Sequence, residues 1–307
     1  PVGSQEAVEF YASCAIEAGC ALVNGIPVLI ASDPKWSAKF RAAGVPVPLG
    51  TAATELLPAT DDAPPSARLR EAGALIMGKT TMPDLGMLSS GLSSLHPLTR
   101  NPWDLRLNPG GSSAGAAAGA AAGYGPLHVG TDIGGSIRLP AGWCGVFGLK
   151  PSHGRVPIGA PYPARVAGPL TRSVTDAALM MSVLSQPDWR DHMSLPPERI
   201  DWLQLDRDLR GLRIGLMLDA GWGLAPDPEV SATVIAAAQA FESAGAIVEP
   251  LKPFATREMA EWLADRLGGE VSSYEADWSP GFEQPPTYYT VKFGDVEMNA
   301  GALAVYY

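Results

Sequence analysis

Two short segments rich in glycine and serine constrain this chain most, because each predicts a backbone turn that few other residue types can form. One runs from Gly110 to Gly115 and the other from Gly130 to Arg138, which places Ser112 and Ser136 24 residues apart. Glycines beside a serine allow positive φ angles, so that successive backbone N–H groups can point at one spot. Next to a nucleophile, such groups form an oxyanion hole for acyl transfer. The expected donors of this hole are the N–H groups of Ile133, Gly134, Gly135 and Ser136.

Other functions compete for these two segments. A phosphate-binding loop would need the pattern GxxxxGK[ST], which the chain lacks, and Gly78-Lys79-Thr80 has no glycine at the required upstream spacing. The first segment also matches GxSxG, the nucleophile elbow of α/β-hydrolases, with Ser113 as the nucleophile. That elbow needs a strand directly before it, which Asn108-Pro109-Gly110 disfavours, and a later histidine, for which His153 and His192 are available. A lone turn of this composition is more often only a turn.

Alternating apolar strands and helices predict an α/β fold with helices covering a mixed or parallel sheet. A capping pattern at Ser173 and Asp176 predicts that a helix begins there and continues to Leu184. Gly245 stands where a glycine would end a helix. The other expected helices are Glu6–Cys20, Ser66–Ala72, the alanine and glycine run Ala114–Gly123, and Pro228–Ala244; the expected strands are Gly25–Ile30, Ala74–Met77, Leu212–Leu218 and Ala246–Val248.

The charge and the cysteine content exclude several classes of protein. The net charge of −10 argues against a nucleic-acid partner, because binding to phosphates requires a basic face. No apolar run approaches the roughly 18 residues of a membrane span, so no membrane partner is expected, and no signal peptide is visible. Three cysteines and four scattered histidines suggest neither a disulfide framework nor a metal site. We therefore expect a cytoplasmic, acidic, globular protein.

A block of motifs resembles the amidase signature family in order and in spacing. The motifs are Ile76–Thr80, Met82–Asp84, Asn108–Gly115, Gly130–Pro140 and Cys144–Pro151. The resemblance implies a single large α/β domain covering residues 1–307, with a central mixed twisted sheet covered by helices on both faces. It also implies hydrolysis of a carbon–nitrogen bond in a small linear amide, without a metal or an organic cofactor. The substrate is unknown, and a homodimer is left open as the assembly.

Members of this family use two serines and a lysine in place of a Ser-His-Asp triad. The resemblance implies that Ser136 is the nucleophile and that Ser112, which follows Gly111 through a cis peptide bond, relays its proton. A serine hydroxyl needs an adjacent base, and a buried lysine can serve because burial favours its neutral form. The resemblance further implies that Asp132 and Arg138 brace the nucleophile loop.

The expected lysine falls in an irregular part of the sequence. The family places it after an apolar strand that begins Gly-Ile-Pro-Val, and Gly25–Ile30 fits this strand, but the next residue is Ala31. A second alignment uses Gly44–Gly50, which resembles the stretch that follows the lysine, and it makes Lys39 the base. Lys39 lies 73 positions before Ser112, in the range usual for the family.

Three functions follow from this resemblance. The first is an amidase that forms an acyl-enzyme on Ser136. The second is the glutamine-cleaving subunit of a tRNA-dependent amidotransferase, which Leu139 disfavours because a polar residue is expected there in that group. The third is a catalytically dead relative, which Ala31 would favour. The short spacing between Phe40 and Gly44 and the poor fit beyond Phe254 also lead us to expect that segments are missing near residues 36–40 and toward the C-terminus.

Overall fold

The structure is a computed structural model that describes residues 50–52, 61–159, 164–219 and 226–253, a few positions up to 262, and the backbone of three strands between 269 and 299. The chain divides into two compact units, Pro1–Leu205 and Asp206–Tyr307. The helix expected at Glu6–Cys20, the strand expected at Gly25–Ile30 and the lysine at Lys39 all lie outside the described residues.

The described part of the first unit combines helices with one antiparallel sheet. Its elements are α1 (Pro64–Glu71), a 3₁₀ turn (Asp84–Gly86), α2 (Ala114–Ala121), β1 (Leu127–Asp132), α3 (Arg138–Cys144), β2 (Phe147–Gly148), β3 (Val166–Thr171) and α4 (Val174–Leu184). The strand order is β1-β3-β2, with Asp132 opposite Val166 and Phe147 opposite Thr171. β3 lies in the middle, α2 and α4 both contact it, and all six of its residues are buried.

Helix α2 packs closely on this sheet because its residues are small. Every residue of the helix is alanine or glycine, and Ala116, Ala117 and Ala120 are almost fully buried. The helix contacts both β1 and β3. Ile137 and Leu170 join the same core cluster, which places the loop between β1 and α3 directly against the core. The prediction of a tightly packed helix in the alanine and glycine run is confirmed.

Helix α4 begins and ends where the sequence predicts. Ser173 is its N-cap: the hydroxyl accepts from the N–H of Asp176 at 3.1 Å and donates to the Asp176 carboxylate at 2.7 Å. The helix ends at Leu184. Its buried side chains Met180, Met181 and Leu184 form the centre of a second core cluster.

Ser173→Ala is expected to lower the free energy of unfolding by about 1 kcal/mol, because the N–H of Asp176 loses its acceptor at the start of the helix. Ser182→Ala is the matched control, since the Ser182 hydroxyl donates to the Leu179 carbonyl within the same helix and alanine is the better helix former. Urea unfolding of both variants measures the difference. Equal losses in the two variants would contradict the capping role.

The second unit contains a parallel strand pair joined by a helix. These elements are β4 (Arg213–Leu216), α5 (Pro228–Ser243) and β5 (Ile247–Pro250), with Arg213 opposite Ile247. Gly245 follows the helix with a φ of +95°, so the predicted strand–helix–strand order and its glycine stop are confirmed. Three further strands, β6 (Gly269–Glu275), β7 (Thr287–Phe293) and β8 (Val296–Asn299), form an antiparallel sheet in that order.

One predicted strand is wrong. Residues 74–77 form no strand, and the side chains of Leu75 and Ile76 are 51% and 41% exposed. A run of four apolar residues becomes a strand only where a neighbouring strand completes its hydrogen bonds. Within the described residues no strand pairs with it. The helix just before it, expected at Ser66–Ala72, is present as α1.

The α/β class is confirmed at the level of small sheets and helices. The described strands form three separate small sheets, so a single central sheet covered on both faces stays a prediction. Across the described part of the chain, no helix is both long enough and apolar enough to cross a membrane.

Candidate active site

The loop between β1 and α3 carries Ser136 and is folded around the carboxylate of Asp132. Oδ1 accepts from the N–H of Gly135 at 2.8 Å and from Nη2 of Arg138 at 3.0 Å. Oδ2 accepts from the N–H of Ile137 at 3.0 Å, and from the N–H and the Nε of Arg138 at 3.3 and 3.1 Å. Asp132 is the last residue of β1, so one side chain ties the strand end to the first residues of the helix. The backbone on both sides of Ser136 is thereby fixed.

Asp132 is held in its charged form. Its side chain is completely buried, and burial alone would raise the pKa of the carboxyl. The Arg138 guanidinium and the N–H groups of Ile137 and Gly135 outweigh this effect and hold the pKa below its ordinary value. The carboxylate therefore accepts hydrogen bonds from the loop throughout the neutral pH range.

Of the four N–H groups expected to form an oxyanion hole, one already has an acceptor in the structure and three have none in the described part of the chain. The N–H of Gly135, which is one of the expected donors, donates to the Asp132 carboxylate instead. Gly135 itself has a φ of +116°. The N–H groups of Ile133, Gly134 and Ser136 donate to no acceptor among the described residues. A Cβ placed on Gly134 would meet nothing within 4 Å, and Ile133 is 49% exposed. This side of the loop is therefore open to a bound group.

The first glycine and serine segment confines Ser112. The peptide bond between Gly111 and Ser112 is cis, and Ser112 is 8% exposed. A Cβ on Gly111 would lie 2.5 Å from the backbone N and O of Ser90, so this backbone leaves no room for a side chain. The 3₁₀ turn also lies close, since a Cβ on Gly86 would be 3.6 Å from the Ser112 hydroxyl oxygen. Neighbouring backbone therefore restricts where the Ser112 hydroxyl can lie.

The two segments are joined directly beside their serines. The N–H of Ser113 donates to the carbonyl of Ser136 at 3.2 Å. The Ser113 hydroxyl donates to the carbonyl of Thr131 and accepts from its N–H, each at 3.2 Å. Residues 23 positions apart in the chain are therefore joined, and the Ser112 segment lies beside the loop that carries Ser136.

The same contacts disfavour Ser113 as a nucleophile. Its hydroxyl bridges both backbone polar groups of Thr131, whereas the serine of a nucleophile elbow stands exposed on a sharp turn after a strand. Residues 105–113 contain turns and bends and no strand. The α/β-hydrolase interpretation therefore does not fit this structure.

The base and any metal site receive no support from the described residues. Lys39 lies outside them, so its role stays a prediction. Lys79 is described, and burial lowers its pKa against the opposing charge of Asp62. No group of three or more His, Cys, Asp or Glu side chains in the described part of the chain is arranged to hold a metal ion.

Two polar side chains that support the site are not evident from the sequence. The sequence suggests Ser113 only as a nucleophile, yet its hydroxyl bonds the first segment to Thr131 in β1. Asn101 belongs to no predicted motif, yet it is 4% exposed and its Nδ2 donates to the Trp143 carbonyl at 2.8 Å. The dipeptide Asn101-Pro102 does indicate a turn, but nothing local indicates that the side chain is buried.

Known proteins resemble this chain over most of its length. The profile of the family described as Amidase matches residues 21–285. The acylamidase of Rhodococcus erythropolis is 38% identical over 227 residues, which cover 72% of this chain and 47% of that protein. A glutamyl-tRNA(Gln) amidotransferase subunit of Chromohalobacter salexigens is 40% identical over 215 residues, which cover 68% of this chain and 44% of that protein.

The fold is shared with solved structures as well. The X-ray structure of the peptide amidase from Stenotrophomonas maltophilia superimposes with a TM-score of 0.63 at 33% identity, covering 72% of this chain and 47% of that one. The chain spans about half the length of these relatives. The region that matches the family contains both glycine and serine segments, and the chain therefore belongs to the amidase signature family.

Proposed function

We propose that this chain hydrolyses linear amides through an acyl-enzyme on Ser136. The observation that carries the proposal is the hydrogen bond from Ser113 to the carbonyl of Ser136, because it brings the Ser112 segment to a loop with unused N–H donors. Membership of the family supports the same reaction class. Two relatives, an acylamidase and a peptide amidase, are named for action on amides, and the extension of that activity to this chain belongs to the proposal.

The proposed reaction begins when Oγ of Ser136 attacks the carbonyl carbon of the amide. The proton of that hydroxyl passes to Ser112, whose own proton passes to neutral Lys39. The carbonyl π electrons move onto oxygen, and the N–H groups of Ile133 and Gly134, with that of Ser136, bind the resulting oxyanion. The carbon–nitrogen bond then breaks, and the amine leaves with the proton that Lys39 returns through Ser112. Water attacks the ester by the same route and releases the carboxylic acid.

Ser136→Ala is expected to abolish labelling by a fluorophosphonate probe, because the probe reacts with an activated serine hydroxyl. Ser113→Ala is the matched control: it removes a hydroxyl one residue from Ser112 that has no part in the proposed chemistry. Folded Ser113→Ala is expected to retain labelling, at a lower rate because the first segment loses a bond to β1. Lys39→Ala tests the base and is expected to slow the reaction. Mass spectrometry of the labelled peptides identifies the modified residue. Labelling that survives in Ser136→Ala would contradict the assignment.

A second candidate function rests on the 40% identity to the amidotransferase subunit. In that case the chain would release ammonia from glutamine and would require partner subunits. Leu139 disfavours it, because a polar residue is expected at that position. Ammonia release from glutamine, with simple amides left intact, would favour this function, whereas the absence of any labelling in folded protein would favour a dead relative. The homodimer, the cytoplasmic location and the single continuous sheet remain predictions that accompany the amidase.

A further inference from the structure

Helix α3 begins two residues after the proposed nucleophile, and its far end is bonded to another part of the chain. The bond comes from Asn101, which is 4% exposed. Its Nδ2 donates to the carbonyl of Trp143 at 2.8 Å and to the carbonyl of Asn108 at 3.5 Å. Its Oδ1 accepts from the N–H of Trp103 at 3.1 Å. One carboxamide therefore joins the end of α3 to both ends of the loop of residues 101–110, which leads to Ser112.

Three further contacts attach the same loop to α3. Nε1 of Trp103 donates to the carbonyl of Cys144 at 2.7 Å. Sγ of Cys144 donates to the carbonyl of Pro109 at 3.3 Å, and Pro109 is fully buried. A Cβ on Gly110 would lie 2.8 Å from Cα of Pro140, which shows how closely the loop lies on the helix. Residues 101–110 are therefore fixed against α3 from its end back toward its first turn.

The bonded carbonyls are those that a helix cannot satisfy by itself. The last C=O groups of an α-helix have no partner within the helix, so donors must come from elsewhere. In α3, the carbonyls of Trp143 and Cys144 accept from side chains of the loop rather than from the residues that follow. The position of the helix end thus depends on the loop, and the position of the loop depends on the helix.

We infer that Asn101 is a positioning residue for the proposed acyl transfer. It ties the segment of Ser112 to the helix that follows Ser136 in a second region, remote from the bond between Ser113 and Ser136. Attachment at both regions fixes the separation and the relative orientation of the two segments. At the second region Asn101 bonds the end of α3 and also holds the two ends of the loop together, beside the bonds of Trp103 and Cys144. Asn101 touches neither reacting serine, so it acts through the backbone. This inference rests on the proposed function.

The test compares the full chain with Asn101→Leu, Trp103→Phe and Leu184→Ala in reaction with a series of fluorophosphonate concentrations. Leucine resembles the carboxamide in size and makes no hydrogen bonds, and phenylalanine retains an aromatic ring without the N–H of Trp103. Leu184 is buried in the second core cluster, so its truncation lowers stability without touching the loop or α3. The concentration series separates the inactivation rate constant kinact from the apparent binding constant KI.

Asn101→Leu is expected to lower kinact roughly 10- to 100-fold and to change KI by less than about twofold, because displaced serines bind the probe but react slowly. Trp103→Phe is expected to lower kinact by a smaller factor, and Leu184→Ala to keep the wild-type value. Rates are compared at a temperature where circular dichroism shows each variant folded. If Asn101→Leu does not fold, Trp103→Phe carries the test, and a wild-type kinact in it overturns the inference.

A wild-type kinact in folded Asn101→Leu overturns the inference and leaves the proposed function intact. Equal losses in Asn101→Leu and Leu184→Ala also overturn it, because reduced stability would then account for both. A wild-type chain that is not labelled at all overturns the proposed function, and the inference with it.

Discussion

Asp132→Ala is expected to lower the free energy of unfolding by about 3 to 5 kcal/mol and to slow labelling of Ser136 by roughly 100-fold or more. The substitution removes a fully buried carboxylate that accepts from the Arg138 guanidinium and from the N–H groups of Gly135 and Ile137. Buried donors that lose their acceptor each cost free energy. Because these bonds shape the loop, the N–H groups proposed as oxyanion donors would no longer be held in place. Urea unfolding and probe kinetics measure the two effects.

Asp191→Ala is the matched control for this prediction. Asp191 is also a buried carboxylate, 4% exposed, and it accepts from the N–H groups of Ile158 at 2.9 Å and Met193 at 2.8 Å. Its removal should therefore destabilise the chain as well, but Asp191 takes no part in the loop that carries Ser136. Folded Asp191→Ala is expected to react with the probe at the wild-type rate. Equal slowing in both variants would show that general destabilisation, rather than the geometry of the loop, determines the labelling rate of Ser136.

The acid sensitivity of the chain gives a second measurement of the same carboxylate. Because the pKa of Asp132 in the folded chain is lowered from its ordinary value of about 3.9, the unfolded chain binds this proton more readily. The stability that Asp132 contributes is therefore complete above about pH 4 and is lost as the pH falls through the lowered pKa. Asp132→Asn lacks this contribution. Its stability should fall less than that of the wild type on acidification, with unfolding midpoints as the readout.

Local structure could be predicted from the sequence wherever the residue itself decides the backbone. Ser173 and Asp176 form a cap from side chains three positions apart, and Gly245 ends α5 with a positive φ that glycine alone adopts without cost. The close packing of α2 could also be predicted from its own residues, because small side chains let the helix approach the sheet closely. These features need no knowledge of distant residues.

The remaining features depend on partners that are distant in the chain. The positive φ of Gly135 could be expected from its type, but its N–H is directed by the buried carboxylate of Asp132 rather than by an oxyanion. Residues 74–77 are apolar enough for a strand, yet a strand exists only where a second one pairs with it. Asn101 lies next to a proline in a sequence typical of a surface turn, and its burial depends in part on a distant partner, the carbonyl of Trp143. The pairing of the two serine segments came from resemblance, because spacing alone does not show that two turns meet.

Gly111→Ala is expected to lower the free energy of unfolding by about 3 kcal/mol and to reduce the labelling rate strongly, although it adds a single methyl group. The new Cβ would lie 2.5 Å from the backbone N and O of Ser90 and 2.7 Å from the carbonyl oxygen of Leu88. All three contacts are with backbone, which cannot rotate away as a flexible side chain can. The segment must therefore shift, and Ser112, as the next residue, must shift with it. Urea unfolding and kinact measure the two consequences.

Gly142→Ala is the control that separates crowding from the loss of a glycine. Nothing lies within 4 Å of a Cβ placed on Gly142, which is an exposed position within α3. Alanine is favoured over glycine in a helix by roughly 0.5 to 1 kcal/mol, so this variant should be slightly more stable than the wild type and should be labelled normally. Because Ser90 lies close to Gly111 and nothing lies close to Gly142, the two substitutions are expected to change the free energy of unfolding in opposite directions. If Gly111→Ala were as stable and as reactive as Gly142→Ala, close backbone packing would not be what holds Ser112 in place.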